Sequence, residues 1–591
     1  MDTNPGEARR YLRQAVDDEF KAIEGCFRTS KYRRNALVPI SHLPPETLTV
    51  IFTFLSHSAC DEKGSYMTWL HVTHVCHHWR ETALNCSYLW NHINFNKLSP
   101  TGITEIVARA KMSPLHLEAK TTNWSKARFD AFEKLLEAHF SHTRQLTISG
   151  ELRNLPERLV SPAPALEFLS LADPYFDFAP SSDAFFNSTA PNITSLELHG
   201  CSLSRMMPLK GLRTLKITKP SSRMTLEDWL DALNEMPQLE TFVLHDADLE
   251  AGYYDDRVIS ARTVTLPSLT QFNISASATN CALALFHLVF PALTSLHVAA
   301  ESNHEDGEDV QGLIPLVVRN ANGPQDTVPL QSMLVRGESM RAAIVAWSIP
   351  NADLEVPSPT APLNTAVSAR LVFSAWGNGW WRDLTSTEVL DSILIQLPVN
   401  AVSTLTTQSN YARSTEEFWL RHVPRLAMLK QARLAPTAIR AFKQMLVGDV
   451  SHNSPRWLPQ LAKLILVGVS LTAIRTYHLR DMLVKRREQG APLEALDLRT
   501  CIAVEHAIEL LAEAVGNVRG PTITPGPGNL EFCDWRGGVE FFDEEEEYVG
   551  FPNDEDDEKG EVDEFVDESD IPFGLDDDDS GYGYYYDYYS L

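Results

Sequence analysis

Along the middle of the chain one order of apolar and polar positions recurs: a proline, a variable residue, an aliphatic, two variable residues, an apolar one, a variable one and another aliphatic. It reads "PALEFLSL" at 164–171, "PNITSLEL" at 191–198, "PQLETFVL" at 237–244, "PSLTQFNI" at 267–274, "PALTSLHV" at 291–298 and "PQLAKLIL" at 459–466, with weaker copies "GLRTLKI" at 211–217 and "PLEALDL" at 492–498. The first five begin 27, 46, 30 and 24 residues apart, and the copy at 211–217 divides the longest interval. Each phrase ends in the two-residue alternation of a strand. The segments between read as helices at a period of 3.6: "RFDAFEKLLEAHF", "TLEDWLDALNEM", "AIRTYHLRDMLVKRREQ" and "AVEHAIELLAEAV".

Helix and short strand alternating every 20–30 residues or so is the arrangement of a leucine-rich repeat, in which each unit buries its apolar face only against its neighbours. An ordinary α/β domain with leucine-rich strands would give similar alternation, but would not need proline at the same offset so often. The expected fold is therefore mixed α+β and α/β, with an irregular leucine-rich-repeat-like solenoid over residues 98–515. From about 300 to 425 the phrase fades, and the pattern predicts the same repeat carrying longer insertions.

The first hundred residues differ. Leu12, Val16, Phe20, Ile23 and Phe27 stand three or four apart, predicting an amphipathic helix within residues 1–36. "ISHLPPETLTVIFTFL" then has apolar Ile40 and Leu43, a proline pair suited to a first helical turn, Glu46 at the positive end of the dipole, and Leu48, Ile51, Phe52 and Leu55 along one stripe. Next comes "HVTHVCHHWRETALNCSYLW", dense enough in histidine and cysteine to raise a zinc site. On a continuous helix over Thr68–Leu84, Trp69, Val72, Val75, Cys76, Trp79 and Ala83 fall on one face, with His71, His74 and His78 opposite. Zinc needs its ligands about 2.0–2.3 Å from one centre, so Cys76 could not join those histidines, and no structural zinc is expected.

These residues carry a resemblance. "LPPETLTVIFTFL", "VTHVCHHWRETAL" and "LWNHINF" together resemble an F-box, in particular those of the many F-box proteins of mushroom-forming fungi, across residues 37–97. The resemblance implies a small helical domain that docks on a Skp-type adaptor through Leu43, Pro44, Pro45, Glu46, Leu48, Ile51, Phe52, Leu55, Val75, Cys76, Trp79, Leu84 and Trp90. It further implies a non-catalytic substrate receptor of an SCF-type cullin–RING ubiquitin ligase, with the repeats holding a protein target. The loop after Leu55 is longer than usual, and paired histidines stand between Cys76 and Trp79.

Charge modifies this picture at the carboxyl end. The chain of 591 residues has a formal charge of −27, of which residues 541–591 supply −20 through 21 Asp and Glu against Lys559 alone. Residues 543–591 are expected to be a disordered, acidic, tyrosine-rich tail, joined through a linker and a possible hairpin at 516–542. A tail that recruits basic proteins such as histones would instead suit a non-ligase interaction scaffold. No clustered Lys and Arg suggest nucleic acid, and no apolar run suggests a membrane or a secretory signal; eight scattered cysteines fit reduced thiols in the cytosol or nucleus. No phosphate loop, nucleophile elbow, HExxH or dinucleotide motif is present, so neither a catalytic site nor a cofactor is expected. "SAWGNGWWRD" groups Trp376, Trp380 and Trp381 between glycines, either as packing residues or as a substrate-recognition cluster.

Overall fold

In five of the repeated phrases the leading proline sits in a turn. In a computed structural model, the amides of Leu166, Leu239, Leu269, Leu293 and Leu461 donate to the carbonyls of Ala163, Met236, Leu266, Phe290 and Leu458, three residues back. Pro164, Pro237, Pro267, Pro291 and Pro459 thus occupy the second position of a four-residue turn, where their fixed φ is already correct. The leucine that closes each turn is buried and delivers the chain into a strand.

The structure describes residues 5–61, 67–151, 162–173, 192–200, 209–220, 225–249, 262–304, 307–322, 329–338, 341–350, 369–377, 383–409, 416–436 and 458–503, 506–520, with a few isolated positions between 438 and 446. A helical amino-terminal region precedes a mixed α/β region built on one large, mostly parallel sheet. Its strands are β1 (His92–Asn94), β2 (Leu115–Lys120), β3 (Thr143–Ser149), β4 (Phe168–Ala172), β5 (Ser195–His199), β6 (Thr214–Thr218) and β7 (Thr241–His245). Then follow β8 (Val264–Thr265), β9 (Gln271–Ser277), β10 (Leu288–Val289), β11 (Ser295–Ser302), β12 (Ser332–Glu338), β13 (Arg341–Trp347) and β14 (Leu371–Gly377). The last are β15 (Thr404–Ser409), β16 (Gln431–Leu434), β17 (Lys463–Leu471), β18 (Ala495–Ala503) and β19 (Asn517–Arg519). All eight copies of the phrase end on a strand, while β8 and β10 pair separately.

Register is continuous across the large sheet. Ile93, Leu117, Leu146, Leu169, Leu196, Leu215, Phe242, Phe272, Leu296 and Leu371 each stand beside the next. The row continues through Ala346, Met333, Leu405, Ala432, Leu464, Leu496 and Val518. Every member but the last is buried, and Val518 packs against the same core. Helices cover this face. Their starts are capped by Ser99, Ser125, Thr225, Ser277 and Thr472, whose side chains accept from amides three residues on. They contribute Phe129, Phe132 and Leu136 from Lys126–His139, and Trp229, Leu230 and Leu233 from Leu226–Asn234.

The expectation that the repeat continues over 300–425 with longer insertions meets a difference. β11 pairs with β14 rather than β12, β14 and β12 both flank β13 antiparallel, and β12 pairs with β15. Only Ser339 and Met340 separate β12 from β13, and so short a connection allows a hairpin but not a parallel crossover. Here the second face of the sheet is also apolar: Leu334, Ala343, Val345, Trp347, Ala369 and Val372 form their own buried cluster. The helix expected over "AVEHAIELLAEAV" is short, Ala507–Ala512, because Cys501–Ala503 extend β18.

Two outcomes follow from this packing. Phe242 is buried and stacks on Phe272 at 5.4 Å, so Phe242→Ala should cost about 3–5 kcal/mol in urea unfolding, whereas Phe286→Ala on the exposed side should cost well under half of that. His422 is buried with Nε2 2.7 Å from Asp391 Oδ1, and burial lowers its pKa despite that carboxylate; burial also lowers His139 and His142, whose rings meet. With native values below the unfolded 6.5, the unfolded chain binds more protons between the two. Stability should be full above pH about 6.5 and fall as the pH drops through the native values, a loss that His422→Gln should reduce in a thermal-melting series.

Candidate functional site

The amino-terminal region is built around four aromatic rings. Helix α1 (Pro5–Ala36) leads through a short 3-10 turn, Pro39–His42, into α2 (Pro45–Asp61). Leu48 and Phe52, one turn apart on α2, are fully buried, and Phe52 packs on Trp79 at 5.2 Å. Trp69 meets Trp90 edge to face at 5.1 Å, and the Trp90 indole N–H donates to the Ala83 carbonyl at 2.9 Å. From the other side the Arg109 guanidinium lies 4.8 Å from the Trp90 ring centre. Arg109 belongs to α4 (Pro100–Ala110), the helix that follows β1. Since β1 itself pairs with β2, the helical region and the sheet share one core rather than meeting at a linker.

The expected single helix over 68–84 is two elements. Thr68–His74 is a 3-10 turn, Cys76 is extended at φ −158° and ψ 170°, and α3 (His77–Asn85) starts after it. The break rotates the second half relative to the first. Trp69 and Val72 remain inside, but Val75 turns out to solvent instead of joining them. His71 and His74 are exposed, and among the described residues no group of three or more metal-ligating side chains comes together.

The thirteen residues expected to contact a partner therefore separate into three sets. Leu48, Phe52 and Trp90 lie within the chain's own core; Leu43, Trp79 and Leu84 are half-buried against it, and Cys76 is half-buried; Pro44, Pro45, Glu46, Ile51, Leu55 and Val75 are exposed. Sequence reasoning missed Val50 and Phe54, the latter 72% exposed, as solvent-facing apolar residues; Leu37, Val38 and Ile40, ahead of α2, are exposed as well. The signal was available, because "LTVIFTFL" is apolar on two faces of one helix and only one can face its own core. The other, with Val75, is a solvent-facing apolar surface of the kind that marks an interface. Residues 40–96 are an F-box-like domain. That match covers the domain alone, and a comparison with curated proteins found no match to the chain.

The tryptophans proposed for recognition are not a loop cluster in the part described. Trp376 lies on β14, on the second face, half-buried, with the Arg341 guanidinium of β13 5.4 Å from its ring. Trp380 and Trp381 lie outside the described residues, as does the tail from residue 521 on and with it the expected hairpin. Among the described residues no helix is long and apolar enough to cross a membrane.

The division of the F-box-like domain into core and surface is directly testable. Trp90→Ala should destabilise by about 3–5 kcal/mol, through loss of its packing and of the Arg109 contact, whereas Val50→Ser with Phe54→Ser should leave the denaturation midpoint within about 0.5 kcal/mol of wild type.

Proposed function

We propose that the protein is the substrate-recognition subunit of an SCF-type cullin–RING ubiquitin ligase, of the kind found in mushroom-forming fungi and acting in the cytosol or nucleus. The observation that carries this reading is the apolar surface of the F-box-like domain: Val50, Ile51, Phe54, Leu55 and Val75 face solvent on a domain whose core is already complete. A Skp-type adaptor covers that surface and brings the cullin, with Leu43, Pro44 and Pro45 at its edge. Buried Leu48, Phe52 and Trp90 act indirectly, by holding the surface in shape.

The sheet is then a leucine-rich-repeat-like solenoid, and its second face over β2–β9 receives the target protein. Thr147, Ser170, Glu197, Lys216, Val243 and Asn273 form one row across that face, continued on each strand by Ser149, Ala172, His199, Thr218, His245 and Ser275. Most are small or polar, so a partner's backbone can approach closely and find donors and acceptors. Lys216 and Glu197 pair at 2.7 Å across adjacent strands, which leaves the row without a dominant charge. The protein contributes proximity and orientation, and no reacting group.

Co-purification tests this. Tagged protein should bring down both adaptor and cullin, and Leu43→Ala with Pro44→Ala, or Val50→Ser with Phe54→Ser, should cut adaptor recovery by about tenfold or more while the melting temperature holds. Adaptor recovered at wild-type level from both variants, or adaptor recovered without cullin, would leave a scaffold outside the ligase as the better reading.

A further inference from the structure

Helix α1 presents a second apolar surface, independent of the F-box-like domain. Leu12, Val16, Phe20, Ile23 and Phe27 lie within about 80° of arc on the helix and are between 48% and 64% exposed. Removing apolar side chains of this size from water is favourable, so a stripe left open is an attachment site. Its ends are cationic: Arg9 precedes it on the same line and Arg13 borders its first turn, while Arg34 follows on the line and Lys31 borders it. From Arg28 to Arg34 there are four basic residues and no acidic one.

One segment of this chain has the complementary order. "DEDDEKGEVDEFVDESD", residues 554–570, places Val562, Phe565 and Val566 at helical spacing between two runs of carboxylates. Apolar centre and acidic ends thus match apolar centre and basic ends. Reach is sufficient. Gly520 closes the described chain beside Ile508, and the 45 residues from there to Phe565 extend to about 150 Å, whereas the sixteen strand spacings between β19 and β1 sum to about 77 Å even along the sheet.

We propose that α1 is the docking platform for the chain's own acidic segment around Val562, Phe565 and Val566, bound in cis. Apolar contact holds the centre, and Arg9, Arg13, Lys31 and Arg34 pair with the flanking carboxylates. The acidic segment is thereby held beside the F-box-like domain, since Tyr32 near the end of α1 already packs on His77 of α3 at 6.4 Å.

Zero-length carbodiimide cross-linking of the full chain reads this out, because Lys21 and Lys31 lie on α1 and Lys134 on α5 (Lys126–His139) serves as an exposed reference. At about 0.05 M salt, Lys31 should couple to carboxylates of 554–570 at least about fivefold more than Lys134, and the excess should shrink at about 1 M. In the full chain carrying Val562→Ser, Phe565→Ser and Val566→Ser the excess should vanish, and hydrogen exchange across α1 should quicken. Equal coupling at Lys31 and Lys134, or unchanged exchange in the triple variant, overturns the proposal. Cross-links confined to species of twice the mass would assign the stripe to a second copy, and protection of α1 only on adding purified Skp-type adaptor would assign it to the adaptor; either result also overturns it.

Discussion

Lateral register is the constraint on which the rest of the molecule depends. A parallel strand positions its neighbour through evenly spaced hydrogen bonds, and a slip of one residue would turn every inward leucine outward. Here that register runs from Ile93 at the edge of the F-box-like domain to Val518 near the last described residue. The turns that set it are stapled twice: the Glu167, Thr194, Arg213, Glu240 and Thr270 carbonyls each accept two successive amides of the following unit. An error at one strand would therefore propagate to all those beyond it.

Because β1 is both the last element of the F-box-like domain and the first strand of the sheet, the two move as one body. Trp90, held between Trp69 and Arg109, reinforces that junction from above. For a protein proposed to hold one partner on the F-box-like domain and another on the sheet this matters, since a direct junction fixes the distance and direction between them where a linker would average both. The second face of the sheet changes character along its length, from the polar rows of β2–β9 to the buried apolar cluster of β12–β14.

Much of this was legible in the sequence, and the rest was hidden for identifiable reasons. Strands announced by a proline turn were found because proline fixes a backbone angle and so leaves a local mark. β2 and β3 were missed although "LHLEAK" and "RQLTIS" alternate correctly, since neither carries that turn. The reversal at β13 is set by pairing partners 72 to 75 residues distant, Met333 with Leu405 and Leu296 with Leu371, which no local window contains. At the candidate site the apolar residues were named correctly as a group, but their division into core and surface depends on the break at Cys76, and extended backbone at one cysteine leaves no compositional trace. Similarly, Lys219 and Asp246 adopt positive φ of 50° and 52° directly after their strands, where Gly150 and Gly200 follow theirs, and only the glycines hinted at such a turn.

The reversed strand also bears on the order in which the chain can fold. Each strand from β2 to β7 finds its partner one unit back, so the ladder can extend as the polypeptide lengthens. β12 has no such partner. When it is complete, its neighbours β13 and β15 do not yet exist, and β11, already paired with β9, has its other edge open until β14. Closing that longer loop costs about 1 kcal/mol more than closing one of the earlier units, and the intervening residues hold a hairpin together by local contacts until both flanks arrive. Topology therefore places one interruption, β12–β14, between two stretches that can each extend strand by strand, β2–β11 and β15–β19, and one core finally unites them.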